Sequence, residues 1–133
     1  MKKFLIATVA GTVTMLVLAG LFHGILVGDL LKQLMSEFPN SQQPPPMLAI
    51  GMAVLISGIM AHMYPKGYEG GSPFTEGFKF GAPIGLIMVL PLNLVLVGAL
   101  GADSTFSMLD IPWHLIEQGV TGGVIGLVYS KVS

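Results

Sequence analysis

Five polar side chains interrupt the long apolar stretches of this chain, and they are the residues with which it could do chemistry. They are His23, Asn93, His114, Glu117 and Gln118. Ionisable groups in a hydrocarbon environment are costly and usually mark a functional site. His114 and Glu117 are three residues apart, so they share one helix face, and Gln118 extends that face. The pattern predicts a polar layer that binds a small molecule, a lipid headgroup, a proton or an ion.

The depth of these side chains can be calculated from the helical rise. Counting about 1.5 Å per residue from the predicted outer helix ends places His23 roughly 7 Å deep, His114 roughly 6 Å and Glu117 roughly 10 Å. Asn93 lies near the depth of His23. A bundle of four helices would bring these side chains together in its outer half, provided that they face inward.

Three interpretations of this layer stay open at the level of sequence. In the first, the polar side chains only hydrogen-bond to one another and hold the helices together. In the second, they line an outward-facing pocket. In the third, His23, His114 and Glu117 bind a divalent metal as a set of two histidines and one carboxylate, or the two histidines ligate haem.

Composition limits the possible classes of function. The 133 residues are 53% hydrophobic and only 10% charged, with a net charge of −1 and no cysteine. An ordinary soluble domain carries about 25% charged residues. Without a basic patch, nucleic acid is excluded as a partner, and without cysteine there are no disulfides or thiolate metal sites. No nucleophile motif or phosphate-binding glycine loop is present, which disfavours an enzyme.

The apolar stretches predict an all-α membrane protein: a single domain, 1–133, folded as a bundle of four transmembrane helices. The predicted spans are residues 4–28, 47–64, 76–100 and 111–129. A short amphipathic helix is expected in the connector 29–46, and residues 66–75 and 103–110 are the other connectors. Pro65 is expected to close the second span, Pro91 to kink the third, and Pro112 to lie in the first turn of the fourth.

The placement of lysine predicts the orientation of the bundle. With the N-terminus inside, one lysine falls on the outer side, Lys32. The other five fall on the cytoplasmic side: Lys2, Lys3, Lys66, Lys79 and Lys131. Such a bias indicates N-in and C-in topology in the cell inner membrane.

The two halves of the chain resemble each other. At an offset of 70 residues Gly11 meets Gly81, and Leu26-Val27-Gly28 meets Leu96-Val97-Gly98. At an offset of 65, Tyr64 meets Tyr129 and Lys66 meets Lys131. The predicted repeats cover about 4–66 and 76–131. Two hairpins in the same orientation are a parallel repeat, related by an axis along the membrane normal.

Small residues recur four positions apart and are expected to form the helix contacts, since close backbone approach drives helix association in lipid. These glycines are Gly20, Gly24, Gly28, Gly77, Gly81, Gly85, Gly119 and Gly123. So many small-residue faces in a short chain also predict a homo-oligomer or a larger membrane complex.

Two segments carry a family resemblance. Leu18-Ala-Gly-Leu-Phe-His-Gly-Ile-Leu-Val-Gly-Asp29, and Trp113-His-Leu-Ile-Glu-Gln-Gly with Gly122-Gly-Val-Ile-Gly-Leu-Val-Tyr129, resemble small four-span bacterial inner-membrane proteins that form a family of unknown function. The resemblance implies four spans, with an aromatic-Gly region ending the first and a tryptophan opening the last. It implies nothing about chemistry.

The sequence thus favours a non-enzymatic membrane protein. Either it is an accessory or assembly subunit, or it binds a small ligand in the outer polar layer. The alternative is a metal- or haem-binding redox component, and an integral membrane enzyme comes third.

Overall fold

The chain is entirely helical. A computed structural model describes residues 1–133 and contains no β-strand. The helices are α1 (Lys2–Gly20), α2 (Gly28–Ser36), α3 (Pro46–Gly67), α4 (Pro73–Asn93) and α5 (Ser104–Lys131). A π-helical turn, Leu21–Leu26, continues α1, and a second, Leu94–Ala99, continues α4.

Three helical units are long and apolar enough to cross a membrane: Lys2–Leu26, Pro46–Gly67 and Pro73–Ala99. Large apolar side chains cover the outside of the bundle, as at Val9, Val13 and Val17 on α1. Charged side chains lie inside it, as at Asp110 and Glu117. This distribution is the reverse of a soluble protein and is consistent with a membrane protein, whose surroundings are as apolar as its own side chains.

Glycines bring α4 and α5 into backbone contact. A Cβ added to Gly77 would collide with the carbonyl of Gly122, and one added to Gly81 would collide with the carbonyl of Gln118. At Gly85 the collision would be with the carbonyl of His114. Gly119 and Gly123 lie under the rings of Phe78 and Phe74. Only glycine therefore allows this pair of helices to approach so closely.

The predicted glycine face of the first span is arranged differently. No atom lies within 4 Å of the Cβ position at Gly20 or Gly24, and Gly28 has only the carbonyl of His23 nearby. Within the chain these three residues do not pack against another helix. The close contact of α1 is made at Gly11 instead, where a Cβ would lie 3.1 Å from Ile125 and 3.2 Å from Ser57.

The centre of the bundle is a small apolar cluster contributed by α1, α3 and α5. Its buried members are Ala7, Met60, Ala61, Tyr64 and Ile125. Lys3 of α1 donates to the carbonyl of Tyr129 at 3.4 Å, so the first and last helices have their chain ends on the same side. We call this side the terminal end of the bundle.

The opposite end is closed by α2, and we call it the α2 end. The predicted amphipathic helix is present as Gly28–Ser36. It packs inward onto the start of α5 in a second apolar cluster, made of Phe22, Val27, Leu34, Ala102 and Phe106. The prolines after α2 keep the chain extended until α3 begins at Pro46.

The last helix begins earlier than the sequence indicates. Asp103 accepts a hydrogen bond from the backbone N–H of Thr105 at 2.8 Å, which caps the helix, and α5 runs from Ser104. The predicted connector 103–110 is therefore mostly helical, because the Asp-Ser-Thr start supplies an N-cap well before Pro112. Pro112 lies in the helix interior, and Asp110 belongs to the helix.

Pro65 does not end α3, contrary to the prediction. The helix continues to Gly67. Pro65 has no N–H to donate to the carbonyl of Ala61, four residues before it. That carbonyl accepts the hydroxyl of Tyr129 instead, at 2.7 Å. A side chain from α5 thus replaces the missing backbone hydrogen bond, and the helix tolerates the proline.

Candidate functional site

A buried carboxylate, Asp110, lies at the centre of the polar layer. Its Oδ2 accepts a hydrogen bond from the amide nitrogen of Asn93 at 3.0 Å. Its Oδ1 lies 3.2 Å from Nδ1 of His114 and 3.8 Å from Nε2 of His23. Asp110 is only 1% exposed. We call these four residues the Asp110 cluster, and they join α1, α4 and α5 near the α2 end.

The hydrogen bonds of the two histidines fix where their protons lie. Nδ1 of His23 is 3.0 Å from the carbonyl of Ala19, and Nδ1 of His114 is 3.0 Å from the carbonyl of Asp110. A carbonyl only accepts, so each Nδ1 carries a hydrogen. Nε2 of His23 therefore faces the carboxylate of Asp110 and carries no hydrogen in the neutral ring, so it donates no hydrogen bond to that carboxylate.

Glu117 lies one helical layer deeper and has separate partners. Its carboxylate accepts the indole N–H of Trp113 at 3.1 Å, and its backbone carbonyl accepts the hydroxyl of Thr121 at 2.8 Å. The Trp113 ring stacks on Phe22, with centroids 4.7 Å apart and planes 5° apart. Phe22, the residue before His23, therefore connects Glu117, through Trp113, to the turn that continues α1.

Gln118 lies on the same face of α5 and is fully buried, at 0% exposed. Neither its amide oxygen nor its amide nitrogen has a hydrogen-bond partner in the chain, and the hydroxyl of Ser57 on α3 has none either. Unpaired buried polar groups are rare and costly. Buried polar side chains thus extend inward from the Asp110 cluster beyond Glu117.

A cleft of about 550 Å³ opens at the α2 end beside His23. It is formed by the end of α1, by α2 and by the connector after α2, and polar side chains such as Lys32 and Ser41 share its walls with Leu31 and Phe38. The side chain of His23 is 35% exposed, whereas that of Asp110 is 2% exposed. His23 therefore forms the link between the cleft, which we call the α2 cleft, and the buried cluster.

The predicted metal-binding set is not assembled as a unit. His23 and His114 come together, with ring centroids 6.2 Å apart, but the carboxylate they share belongs to Asp110. Glu117 is occupied by Trp113. No group of three histidine or carboxylate side chains is arranged to hold a metal ion. Hydrogen bonds from Asn93 and Trp113 hold the two carboxylates in this arrangement, and ligation of a metal or haem stays a prediction.

The structure brings three of the five candidate residues together: His23, Asn93 and His114. They surround one further residue, which the sequence did not mark as a candidate. That residue is Asp110, which the sequence pattern places in a connector outside the membrane. Its spacing is informative: Asp110 precedes His114 by four residues and Glu117 by seven, which places all three on one helix face.

Comparison of the chain with protein-family models, curated proteins and solved structures gives no match in any of the three. The resemblance to small four-span membrane proteins stays a prediction, and the site is interpreted from its own geometry.

Proposed function

We propose that this chain is an inner-membrane protein with four spans and both termini in the cytoplasm, and that it binds a small polar ligand in the α2 cleft. The Asp110 cluster lies at the buried end of that site. The observation that carries this proposal is the position of His23, which reaches both the cleft and the buried carboxylate. A ligand in the cleft would therefore lie against the one side chain that also contacts the buried cluster.

A fourth span is supported by the length and packing of α5. Its 28 residues correspond to a length of about 42 Å, more than the roughly 30 Å of a bilayer core. Its polar side chains lower its hydropathy, but they are buried among the other helices and do not face lipid. In this arrangement the α2 end is outside, and the lysine-rich terminal end is in the cytoplasm.

The internal repeat is supported by matching burial. Positions 70 residues apart in α1 and α4 are buried together: Ala7 with Gly77, Gly11 with Gly81, Thr12 with Ala82, and Met15 with Gly85. Positions 65 apart in α3 and α5 behave alike: Ala53 with Gln118, Ser57 with Gly122, Met60 with Ile125, and Ala61 with Gly126. The halves differ at the site, where His23 corresponds to Asn93. We infer a duplication that acquired its function where the copies diverged.

The proposed ligand site is tested by native mass spectrometry of the full chain extracted in mild detergent. We expect an additional retained mass on the wild-type protein and its loss in His23→Ala. The control is Lys131→Gln, which removes a polar side chain at the terminal end and should keep the mass. Retention by His23→Ala, or no retained small molecule in any preparation, would contradict ligand binding in the cleft.

The fluorescence of Trp113 gives a second readout, because this single tryptophan stacks on Phe22 beside His23. Ligand released from the wild-type protein and added back should change its emission. The same addition to His23→Ala should leave the emission unchanged.

An accessory role in a larger complex is the second candidate, and one observation favours it. Gly20 is the last residue of α1, and no atom of another helix lies within 4 Å of its Cβ position. Such a face suits a helix from another subunit. Co-purification of one membrane partner, lost in Gly20→Leu while the helical content stays constant, would support this role. A wild-type protein that remains monomeric in mild detergent would contradict it.

A further inference from the structure

A second site lies at the other end of the bundle, on the surface between α1 and α3. A groove of about 640 Å³ runs between these helices, and almost all of its lining is apolar. Thr8 and Gly58 contribute small side chains to it, and Val54 and His62 both line it along α3. We call it the α1–α3 groove.

The length of the groove matches one leaflet of a bilayer. Val54 and His62 are eight residues apart, which corresponds to about 12 Å along the helix. Half of a bilayer core is about 15 Å thick. The groove therefore extends from the terminal end to about the middle of the bundle, as one extended acyl chain would.

A lysine–histidine pair lies where the groove reaches the terminal end. The ammonium group of Lys66 is 2.8 Å from Nε2 of His62. An ammonium group only donates, so Nε2 of His62 accepts and its Nδ1 carries a hydrogen. Lys66 keeps two N–H donors and His62 keeps one, all available to an external acceptor.

No carboxylate of the chain neutralises this pair. The ion pairs of the structure involve Asp110 and Asp29, and none includes Lys66. The loop acid Glu69 forms no ion pair with Lys66, and the carboxylate of Glu76 on α4 accepts the backbone N–H groups of Glu69 and Gly71 at 2.9 and 2.7 Å. The charge of Lys66 is therefore free to meet an anion from outside the chain.

We propose that the α1–α3 groove binds an anionic phospholipid, with one acyl chain between the helices and the phosphate on Lys66 and His62. The proposal rests on the proposed membrane orientation, which places this end in the cytoplasmic leaflet, but not on the ligand of the α2 cleft. Charge complementarity selects the headgroup, and the apolar groove selects a lipid over free phosphate.

The test uses the full chain in mixed micelles that contain equal amounts of phosphatidylglycerol and phosphatidylcholine. Native mass spectrometry then counts each retained lipid. We expect preferential retention of phosphatidylglycerol by the wild-type protein. Lys66→Gln should reduce that preference roughly fivefold, the value expected for one lysine at a membrane surface. Lys131→Gln removes a lysine at the same end but outside the groove, and should keep the preference.

Filling the groove tests the acyl-chain part separately. Gly58→Leu should reduce retention of both lipids, and Val54→Trp, at an exposed position, repeats the test if Gly58→Leu loses helical structure.

Three outcomes would each overturn the proposal. They are equal retention of the two lipids by the wild-type protein, equal effects of Lys66→Gln and Lys131→Gln, and unchanged retention in a folded variant whose groove is filled. His23→Ala should leave lipid retention unchanged, so failure at one site is distinguishable from failure at the other.

Discussion

At the scale of single residues, the chemistry of this protein centres on one carboxylate with three neighbours. Asp110 is held by Asn93 and approached by His114 and His23. Oδ2 accepts a hydrogen bond from Asn93, and Oδ1 faces the Nδ1–H of His114 at 3.2 Å, an arrangement that needs an acceptor at both positions. An amide of the same shape cannot do this, because its nitrogen would face another donor.

We therefore expect Asp110→Asn to lower the free energy of unfolding by about 1–3 kcal/mol, because it replaces a charged acceptor with an amide whose N–H group faces the N–H of Asn93 or of His114. Denaturant unfolding followed by Trp113 fluorescence measures the change. Asp103→Asn is the matched control, because Asn and Asp are equally good N-caps. Its effect should be smaller than that of Asp110→Asn. Equal effects of both substitutions would show that the Asp110 contacts contribute nothing specific.

Glu117 is expected to behave differently, because its amide analogue keeps the essential hydrogen bond. In Glu117→Gln the side-chain oxygen still accepts the indole N–H of Trp113, so the bundle should stay assembled and the unfolding free energy should change by less than about 1 kcal/mol. Glu117→Leu leaves that N–H unpaired and should cost about 1–3 kcal/mol. Denaturant titrations of the two variants make the comparison. Similar losses in both would mean that the charge of Glu117, and not its hydrogen bond, stabilises the bundle.

The sequence predicts the surroundings of the central carboxylate but misses the carboxylate itself, through an error in a helix boundary. Asp110 lies in a stretch with Asp103, Ser104, Thr105 and Ser107, which is typical of a polar connector. Its burial depends on the packing of α5 against α1 and α4, and a single sequence does not reveal that packing. The separation of Glu117 from the two histidines likewise depends on the ring of Trp113, whose direction no spacing predicts.

At the scale of the helices, the closest packing is between α4 and α5. The glycines at this interface face backbone carbonyls, so an added methyl group has no space. Gly81→Ala should therefore destabilise the protein by about 1–3 kcal/mol through overpacking. At Gly58 the nearest atom would be 3.7 Å away, so Gly58→Ala should be neutral or stabilise by up to about 1 kcal/mol through helix propensity. Thermal unfolding followed by circular dichroism compares the two, and equal effects would contradict the close approach.

The start of α5 has its own pH dependence. Hydrogen bonds from the side chain and the backbone N–H of Thr105 lower the pKa of Asp103. A carboxyl group with a lowered pKa in the folded state stabilises it above the unfolded pKa, and this contribution is lost as pH falls through the folded value. Amide hydrogen exchange at Thr105, corrected for intrinsic rates, should therefore accelerate in the acidic range. Asp103→Asn should remove that dependence, and exchange that is equally pH-dependent in the variant would contradict the capping role.

Hydropathy predicts the positions of the helices but not all of their ends. The three apolar units and the amphipathic α2 lie where the sequence predicts them. The end of α3 differs because Tyr129 replaces the hydrogen bond that Pro65 cannot make. The start of α5 differs because Asp103, a polar residue of the expected connector, caps the helix. Both errors concern local hydrogen bonds that depend on a distant or unexpected partner.

At the scale of the whole molecule, the proposed orientation places the α2 end outside and the terminal end in the cytoplasm. The chain has no cysteine, so single cysteines can be introduced without background. In intact cells whose outer membrane has been permeabilised, a maleimide that does not cross the inner membrane should label Ser41→Cys. It should label Ser133→Cys only after lysis. The reverse pattern would overturn the orientation, and labelling of both in intact cells would contradict four spans.

The π-helical turns at the ends of α1 and α4 affect how this bundle tolerates the insertion or deletion of a residue. A π-helical turn contains one residue more than an α-helical turn. Removing one residue from Leu21–Leu26 would shift the residues after the deletion by about 1.5 Å along the helix axis and rotate them by about 100°. The half of α1 that packs at Gly11 would keep its register, while the imidazole and the lining of the cleft would change their direction. A single-residue insertion or deletion in the first turn would therefore change the site and the apolar cluster at Phe22, while the packing around Gly11 stays in place.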